Sequence, residues 1–262
     1  MPDELDSKTL VDLALAEAGL DELASRLPNP VGQPDLMAVV GAAFGSRARD
    51  LYAGFLYAID GPSVIAPLVL ARPLIELAIL LRWIRDDVEP RHDLWQAHSA
   101  EMEAKAIRQA AAHLPRPVGD PYHIDELGAV LAEKDVFAAA GRKRANRLGT
   151  ERALPGLTEM IQSVEKRSEA EGHALGQAYD IAFRFVSPAT HSDDSSFRMN
   201  FVEKSGSPVQ YAERSIVDPD HLRLIAAGCM AHAIESAARM CLLDALADTA
   251  LSIRKMLVAA AN

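Results

Sequence analysis

The segment GPSVIAPLVLARPLIELAILLRWIRDD, residues 61–87, places the tightest limit on how this chain folds. It is almost wholly apolar as far as Arg82, which predicts a helix that is buried on most of its sides. Pro67 and Pro73 must kink or restart this helix, because each lacks an amide donor and pushes on the preceding turn. Aromatic residues make up only 5% of the chain, whereas Ala and Leu are abundant. Its packing partners are therefore expected to be helices, and the sequence predicts an all-α bundle.

About seven helices are predicted. The other six are expected over residues 8–26, 35–60, 91–113, 124–148, 157–185 and 219–260, with 91–113 as a more polar helix that LPRPVGDP ends. The segment 157–185 is expected to be one long core-facing helix, since its apolar positions keep a three–four spacing throughout. The last helix is expected to be bent near Gly228.

Residues 192–217 are the least helical part of the sequence. The stretch FRMNFVEKSGSPVQY has β-prone residues on both sides of a Gly-Ser-Pro turn, which predicts an irregular loop or a small hairpin. We expect a single domain over residues 1–262. Its N-terminal helix and linker take residues 1–34, and its core bundle takes residues 35–191 and 218–262.

The formal net charge of −10 argues against a protein that coats nucleic acid electrostatically. One local exception is the run GRKRANRLGTER, residues 141–152. Cations suit the C-terminus of a helix, so this run has a purely structural interpretation as a solvated helix end. The alternative is a patch in which Arg142, Lys143, Arg144 and Arg147 contact the phosphates of RNA.

The N-terminus, MPDELDSKTL, is acidic and has no apolar stretch, so no secretory signal is expected. No uncharged stretch approaches the roughly 18 residues that a membrane span needs. Cys229 and Cys241 lie in one apolar helical segment without CxxC spacing, which indicates reduced core residues. These features predict a cytoplasmic protein with no membrane association.

Two charged residues interrupt the most hydrophobic helix. Arg72 and Glu76 are four residues apart and therefore on one face, where the surroundings are expected to be buried. A buried charge costs free energy unless it is paired. The two residues are expected either to form an ion pair that serves the core alone or to recruit further hydrogen-bond partners.

A second polar group lies around a helix break in YDIAFRFVSPATH. Pro188 ends the helix that carries Arg184, and Ser187 before it fits an N-cap that starts a new turn toward His191. Arg184 also follows Asp180 by four residues, so it has a structural interpretation as a paired surface cation, with His191 as an ordinary loop histidine. The alternative is that Arg184 and His191 meet in one polar cluster.

Metal sites are a common feature of helical bundles. A di-iron carboxylate site requires two Glu-x-x-His pairs from different helices, but a proline interrupts the single such spacing, Glu89–His92. The reverse spacing is common by chance and occurs at His98–Glu101 and His232–Glu235. The sequence also lacks the motifs of dinucleotide, P-loop, α/β-hydrolase and zinc-protease sites. No metal and no cofactor are expected.

The chain resembles a bacterial all-helical family of unknown function in two segments, ARPLIELAILLRWI and, much later, YDIAFRFVSPATH. Its members have Arg-x-x-x-Glu in an apolar helix, and Tyr, a basic residue, Ser and His in a later one. In this sequence those positions are Arg72, Glu76, Tyr179, Arg184, Ser187 and His191.

The second block is also similar to the motif of the HEPN superfamily, in which four to six residues separate an Arg from a His. Six residues separate Arg184 from His191. The resemblance implies metal-independent RNA cleavage at a homodimer interface. His191 would serve in acid–base chemistry on the ribose 2′-OH, and Arg184 would stabilise the charge that develops on the phosphate.

Three hypotheses about function stay open. The first is a HEPN-like ribonuclease of a bacterial defence or toxin system, acting as a homodimer. The second is a non-catalytic interaction module in which Arg72, Glu76, Tyr179, Arg184 and His191 form a buried polar network. The third is a small-molecule enzyme or binding protein with a pocket between the kinked third helix and the sixth helix.

Overall fold

A computed structural model describes residues 5–33, 35–61, 63, 65–113, 124–147, 154–181, 201–202, 210–211 and 218–260. These residues form nine helices and one pair of short strands. In chain order they are α1 (Ser7–Ser25), α2 (Leu36–Ile59), α3 (Ala66–Arg85), α4 (Val88–His113), α5 (Ile124–Arg147), α6 (Leu157–Glu165), α7 (Glu169–Ile181), β1 (Phe201–Val202), β2 (Gln210–Tyr211), α8 (Pro219–Met240) and α9 (Asp244–Ala260). The all-α prediction is confirmed.

Aspartates fix where three of the helices begin. Asp6 accepts a hydrogen bond from the Thr9 amide at 2.7 Å, and Asp35 caps α2 in the same way. Asp218 caps α8, and Pro219 occupies the first helical position, where an amide donor has no helical partner in any case.

The apolar segment forms α3 as expected. Pro67 is the second residue of α3, in the first turn, where its missing amide donor costs no helical hydrogen bond, and the helix continues through Pro73. Leu74 and Ile79 are fully buried, because α3 packs against α2, α6, α7 and α8. The prediction of a helix buried on most of its sides is confirmed.

The prediction of one long helix over residues 157–185 is wrong, because the chain turns between α6 and α7. A Cβ atom on Gly172 would lie 2.4 Å from the Cα atom of Glu165, so only glycine allows the two helices to approach this closely. The apolar spacing nevertheless runs through the turn, since Val164 of α6 and Leu175 of α7 are both fully buried.

The last predicted helix is also divided, at residues 241–243 and not at Gly228. Leu242 has a left-handed backbone with a φ of 57°. The Leu243 amide donates to the Ala238 carbonyl at 2.8 Å, and the Leu242 amide donates to the Arg239 carbonyl at 3.2 Å. This is the Schellman arrangement that ends a helix, here with leucine in the position that glycine usually takes.

The chain divides into two compact units. The first consists of Met1–Arg85 and Leu157–Asn262, and the second of Asp86–Gly156. In the first unit, α8 is the central helix and contacts α1, α2, α3, α7 and α9. The second unit is an antiparallel pair, α4 and α5, in which Arg108 bonds to Asp135. The single domain over residues 1–262 stays a prediction.

Two glycines let α2 approach the central helix. A Cβ atom on Gly41 would lie 2.9 Å from the carbonyl oxygen of Ala237, and one on Gly45 would lie 3.1 Å from the Ala237 Cβ atom. Small residues at this crossing therefore bring α2 and α8 into direct backbone contact.

Strands β1 and β2 pair antiparallel, with Phe201 opposite Tyr211 and Val202 opposite Gln210. Both strands lie within residues 192–217, where a loop or a small hairpin is predicted, and their pairing fits the hairpin; residues 203–209 between them lie outside the described residues. Within the described residues, every helix falls short of the sustained apolar length that a membrane crossing demands.

Candidate functional site

Charged and polar side chains from four helices meet inside the first unit. We call this group the charge cluster; it consists of Arg82, Arg85, Glu171, His232, Glu235 and Arg254. The side chains of Arg82, Glu235 and Arg254 are only 5%, 6% and 9% exposed. Charges this deeply buried are tolerated only when each is paired and hydrogen-bonded.

Glu171 joins three arginines. Its Oε2 accepts a hydrogen bond from Nε of Arg82 at 2.6 Å and lies 3.7 Å from Nη2 of Arg85. Its Oε1 accepts from Nη2 of Arg254 at 3.0 Å. One carboxylate on α7 therefore connects the end of α3 to the middle of α9.

Glu235 forms the second connection. Its Oε1 lies 3.4 Å from Nη1 of Arg85, and its Oε2 lies 3.1 Å from Nη2 of Arg254. The same Nη1 of Arg85 donates to the Ser236 hydroxyl at 3.4 Å. Arg85 and Arg254 thus each bind both glutamates, so the ion pairs form a closed network.

The dipoles of two helices stabilise the charged residues that lie at their ends. Arg82 and Arg85 lie in the last turn of α3, and Glu171 lies in the first turn of α7. The partial negative charge at a helix C-terminus stabilises cations, and the positive charge at an N-terminus stabilises anions. His232 and Glu235 are three residues apart on α8 and therefore share one face.

The network fixes the protonation of two of its members. Burial raises the pKa of Glu171, but the hydrogen bond and charge of Arg82 outweigh it and, with the other two arginines, lower the pKa to about 2. Burial lowers the pKa of His232 well below its ordinary 6.5, and the charge of Arg254 lowers it further. At neutral pH, Glu171 is ionised and His232 is uncharged.

A cavity of about 490 Å³ lies between α7, α8 and α9, and His232 and Arg254 of the charge cluster form part of its wall. Most of the wall is apolar, with Leu175, Leu224, Ile225, Cys229, Leu257 and Val258 among its residues. The other polar residues on the wall are Gln177, Asp180 and His221.

The Cys229 thiol contributes to the wall as an apolar group. It is fully buried, and burial raises the pKa of this thiol to about 12. Since the thiolate is the reactive form, Cys229 stays protonated and unreactive. Cys229 and Cys241 are both free, as expected from the sequence.

The structure bears on only part of the predicted polar network. Arg72 and Glu76 form the expected ion pair, with 2.9 Å between Nε and Oε1, but their side chains are 26% and 39% exposed. The expected burial of this pair is therefore wrong, because α3 turns this face away from the core. Tyr179 lies on α7, whereas Arg184, Ser187 and His191 lie outside the described residues.

The predicted basic patch lies at the end of α5, in the second unit. Arg142, Lys143, Arg144 and Arg147 occupy the last turns of this helix, and the Lys143 side chain is exposed. Cations here match the charge of a helix C-terminus, which fits the structural interpretation of these four residues. Contact with RNA stays a prediction.

The sequence did not single out the charge cluster. The signals were present, since Arg82 and Arg85 end the longest apolar run and His232–Glu235 is a polar pair in a buried helix. Local spacing relates that pair only to a metal site. In the described part of the chain, no three His, Cys, Asp or Glu side chains are grouped to hold a metal ion.

Comparison of the chain with family models, with curated proteins and with solved structures finds no match. The resemblance to the bacterial helical family, which rests on two short segments, and the resemblance of the second segment to the HEPN motif therefore stay predictions.

Proposed function

We propose that this protein binds a small, mostly apolar organic molecule in the cavity between α7, α8 and α9. The observation that carries the proposal is the cavity itself. Its volume of about 490 Å³ falls within the range of small-molecule sites, and an apolar wall with a few polar groups is typical of them.

The charge cluster supports this proposal by holding the walls in place. Arg254 on α9 binds Glu171 on α7 and Glu235 on α8, so one side chain joins the three helices that line the cavity. Ordering these helices costs conformational entropy. Because this loss occurs when the protein folds, it does not weaken the binding of the ligand. The cavity is therefore preorganised for its ligand.

Filling the cavity from Gly228 tests the proposal. Gly228 lines it, and no described atom lies within 4 Å of the position that a Cβ atom would take. Gly228→Leu should weaken the binding of the apolar probe butylbenzene by about tenfold or more, because the side chain occupies the ligand's space. Titration of the full-length protein followed by NMR measures the dissociation constant.

Gly228→Ala is the matched control, since it adds one methyl group and leaves most of the cavity open. Both variants should unfold no more easily than the wild type, because glycine inside a helix is unfavourable by about 1 kcal/mol relative to alanine. If Gly228→Leu binds butylbenzene as tightly as the wild type does, the probe binds outside this cavity.

A second candidate function follows from the spacing of Arg184 and His191, which fits a metal-independent ribonuclease acting as a homodimer. On this proposal, the purified protein cleaves RNA in the presence of EDTA. His191→Ala should then lower the cleavage rate by at least about a hundredfold, since acid–base catalysis contributes that much or more. The rate of cleavage of a labelled RNA measures the effect.

The exposed His98 on α4 provides the control, because His98→Ala should leave cleavage unchanged. A lower melting temperature in His191→Ala, with no RNA cleavage by the wild type, would instead favour the non-catalytic interaction module.

A further inference from the structure

The wall of the cavity holds a hydrogen-bond donor that meets no acceptor among the described residues. Nη1 of Arg254 lies 3.1 Å from Nδ1 and 3.1 Å from Nε2 of His232. A guanidinium group only donates, and an uncharged imidazole has one accepting nitrogen and one N–H group. Arg254 therefore pairs with one ring nitrogen at most. In either tautomer, the N–H group of the ring therefore has no acceptor among the described residues.

His232 is deeply buried, so a molecule inside the cavity is the partner that can reach this donor. The residue is only 4% exposed, yet it contributes to the wall of the cavity. Leaving a buried donor without a partner is costly, and an acceptor that reaches it from the cavity removes that cost. The burial that keeps the ring uncharged, through a lowered pKa, also preserves this division into one donor and one acceptor.

The charges around the cavity distinguish between two kinds of acceptor. Nη2 of Arg254 lies 3.0 Å from Oε1 of Glu171 and 3.1 Å from Oε2 of Glu235, and the same two carboxylates also pair with Arg82 and Arg85. Asp180 adds a third carboxylate on the wall, so three carboxylates offset the charges of the three arginines. An anionic ligand would lose its hydration beside groups that leave no net positive charge to replace it, whereas the burial of a neutral acceptor costs much less.

We infer that the ligand is an uncharged, mostly apolar molecule that presents a carbonyl oxygen to the ring N–H of His232. This inference rests on the proposed function, because it assigns the polarity of the ligand that the cavity binds. A site built around a hydrogen bond discriminates strongly against an analogue that lacks the matching group.

Three aromatic probes of similar size separate the alternatives: butyrophenone is a neutral ketone, butylbenzene has no acceptor, and para-propylbenzoate is an anion. Wild-type protein should bind butyrophenone at least about tenfold more tightly than either of the others. NMR titration measures the three dissociation constants, and the nitrogen chemical shifts of the His232 ring should change most with the ketone.

Two variants test the role of the ring N–H. His232→Phe keeps a ring but has no donor, so butyrophenone should lose its advantage over butylbenzene. His232→Gln keeps an amide donor and should retain part of it. If His232→Phe does not fold, the ranking of the probes on the wild type and the His232 ring shifts decide the question.

Each other outcome has a defined meaning. Equal affinity for butyrophenone and butylbenzene overturns the inference but leaves the proposed function intact. Tightest binding of para-propylbenzoate overturns it in favour of an anionic ligand. If none of the three probes binds, the inference fails together with the proposed function.

Discussion

Glu171→Gln is expected to lower the free energy of unfolding by about 3–5 kcal/mol, the usual effect of removing one partner from a buried ion pair. Glutamine has nearly the same shape but no charge, and its amide group presents one acceptor where the carboxylate presents two. Arg82, which is 5% exposed, would lose the carboxylate that lies 2.6 Å from its Nε. Arg254, at 3.0 Å from the other oxygen, would lose one of its two carboxylates. Denaturant unfolding measures the change.

Glu169→Gln is the matched control, because it makes the same substitution in the first turn of the same helix at an exposed position. It removes only a favourable interaction with the helix dipole, worth less than about 1 kcal/mol. If the two variants unfold at the same denaturant concentration, the charge cluster does not stabilise the fold.

The sequence predicted the helices well because most of their determinants are local. The apolar run over residues 61–87 indicated a buried helix, and α3 is one. Pro67 marked its beginning, where a proline fits without loss of a helical hydrogen bond. The β-prone residues on both sides of Gly-Ser-Pro likewise predicted strands, and β1 and β2 pair there. Propensity and periodicity suffice for such elements.

The two missed helix breaks have a different origin. The apolar spacing continues from Val164 to Leu175 because α6 and α7 both face the core, so periodicity carries no sign of the turn between them. The turn depends on the contact of Gly172 with Glu165, which only the tertiary structure shows. At the other break, Leu242 adopts a backbone that its residue type disfavours.

The charge cluster could not be predicted from the sequence for a related reason. Arg82 and Glu171 are 89 residues apart, and Arg254 and Glu171 are 83 apart, so no local spacing connects them. The pair that local spacing did indicate, Arg72 and Glu76, is the more exposed one. Sequence spacing detects pairs within one helix, whereas deeply buried charges here depend on pairing between helices.

His232 and Arg254 belong to both the charge cluster and the cavity, so the protonation of the cluster affects the ligand site. An uncharged His232 offers the cavity one N–H donor and accepts a hydrogen bond from Arg254. A protonated ring would place a second cation beside Arg254 and remove that acceptor. The stability of the fold and the chemistry of the cavity therefore depend on the same proton.

Stability is accordingly expected to fall as the pH drops below about 6.5. Folding lowers the pKa of His232, since the ring is buried and faces Arg254, Arg82 and Arg85, whose charges outweigh that of Glu171. The unfolded chain therefore binds more protons below pH 6.5, and the free energy of unfolding falls by up to about 1.4 kcal/mol per pH unit. Glu171 lowers the free energy of unfolding further as the pH falls from about 4.5 toward 2, because its pKa in the folded protein is about 2 and its usual pKa is 4.5.

Denaturant unfolding at a series of pH values separates the two contributions. His232→Gln should flatten the slope between pH 6.5 and 4.5, because glutamine does not titrate there and still accepts a hydrogen bond from Arg254. The exposed His98 serves as control, and His98→Gln should leave the slope unchanged. If the free energy of unfolding of His232→Gln still falls with pH at the wild-type slope, other groups take up the protons. The buried ring then does not cause the loss of stability in acid.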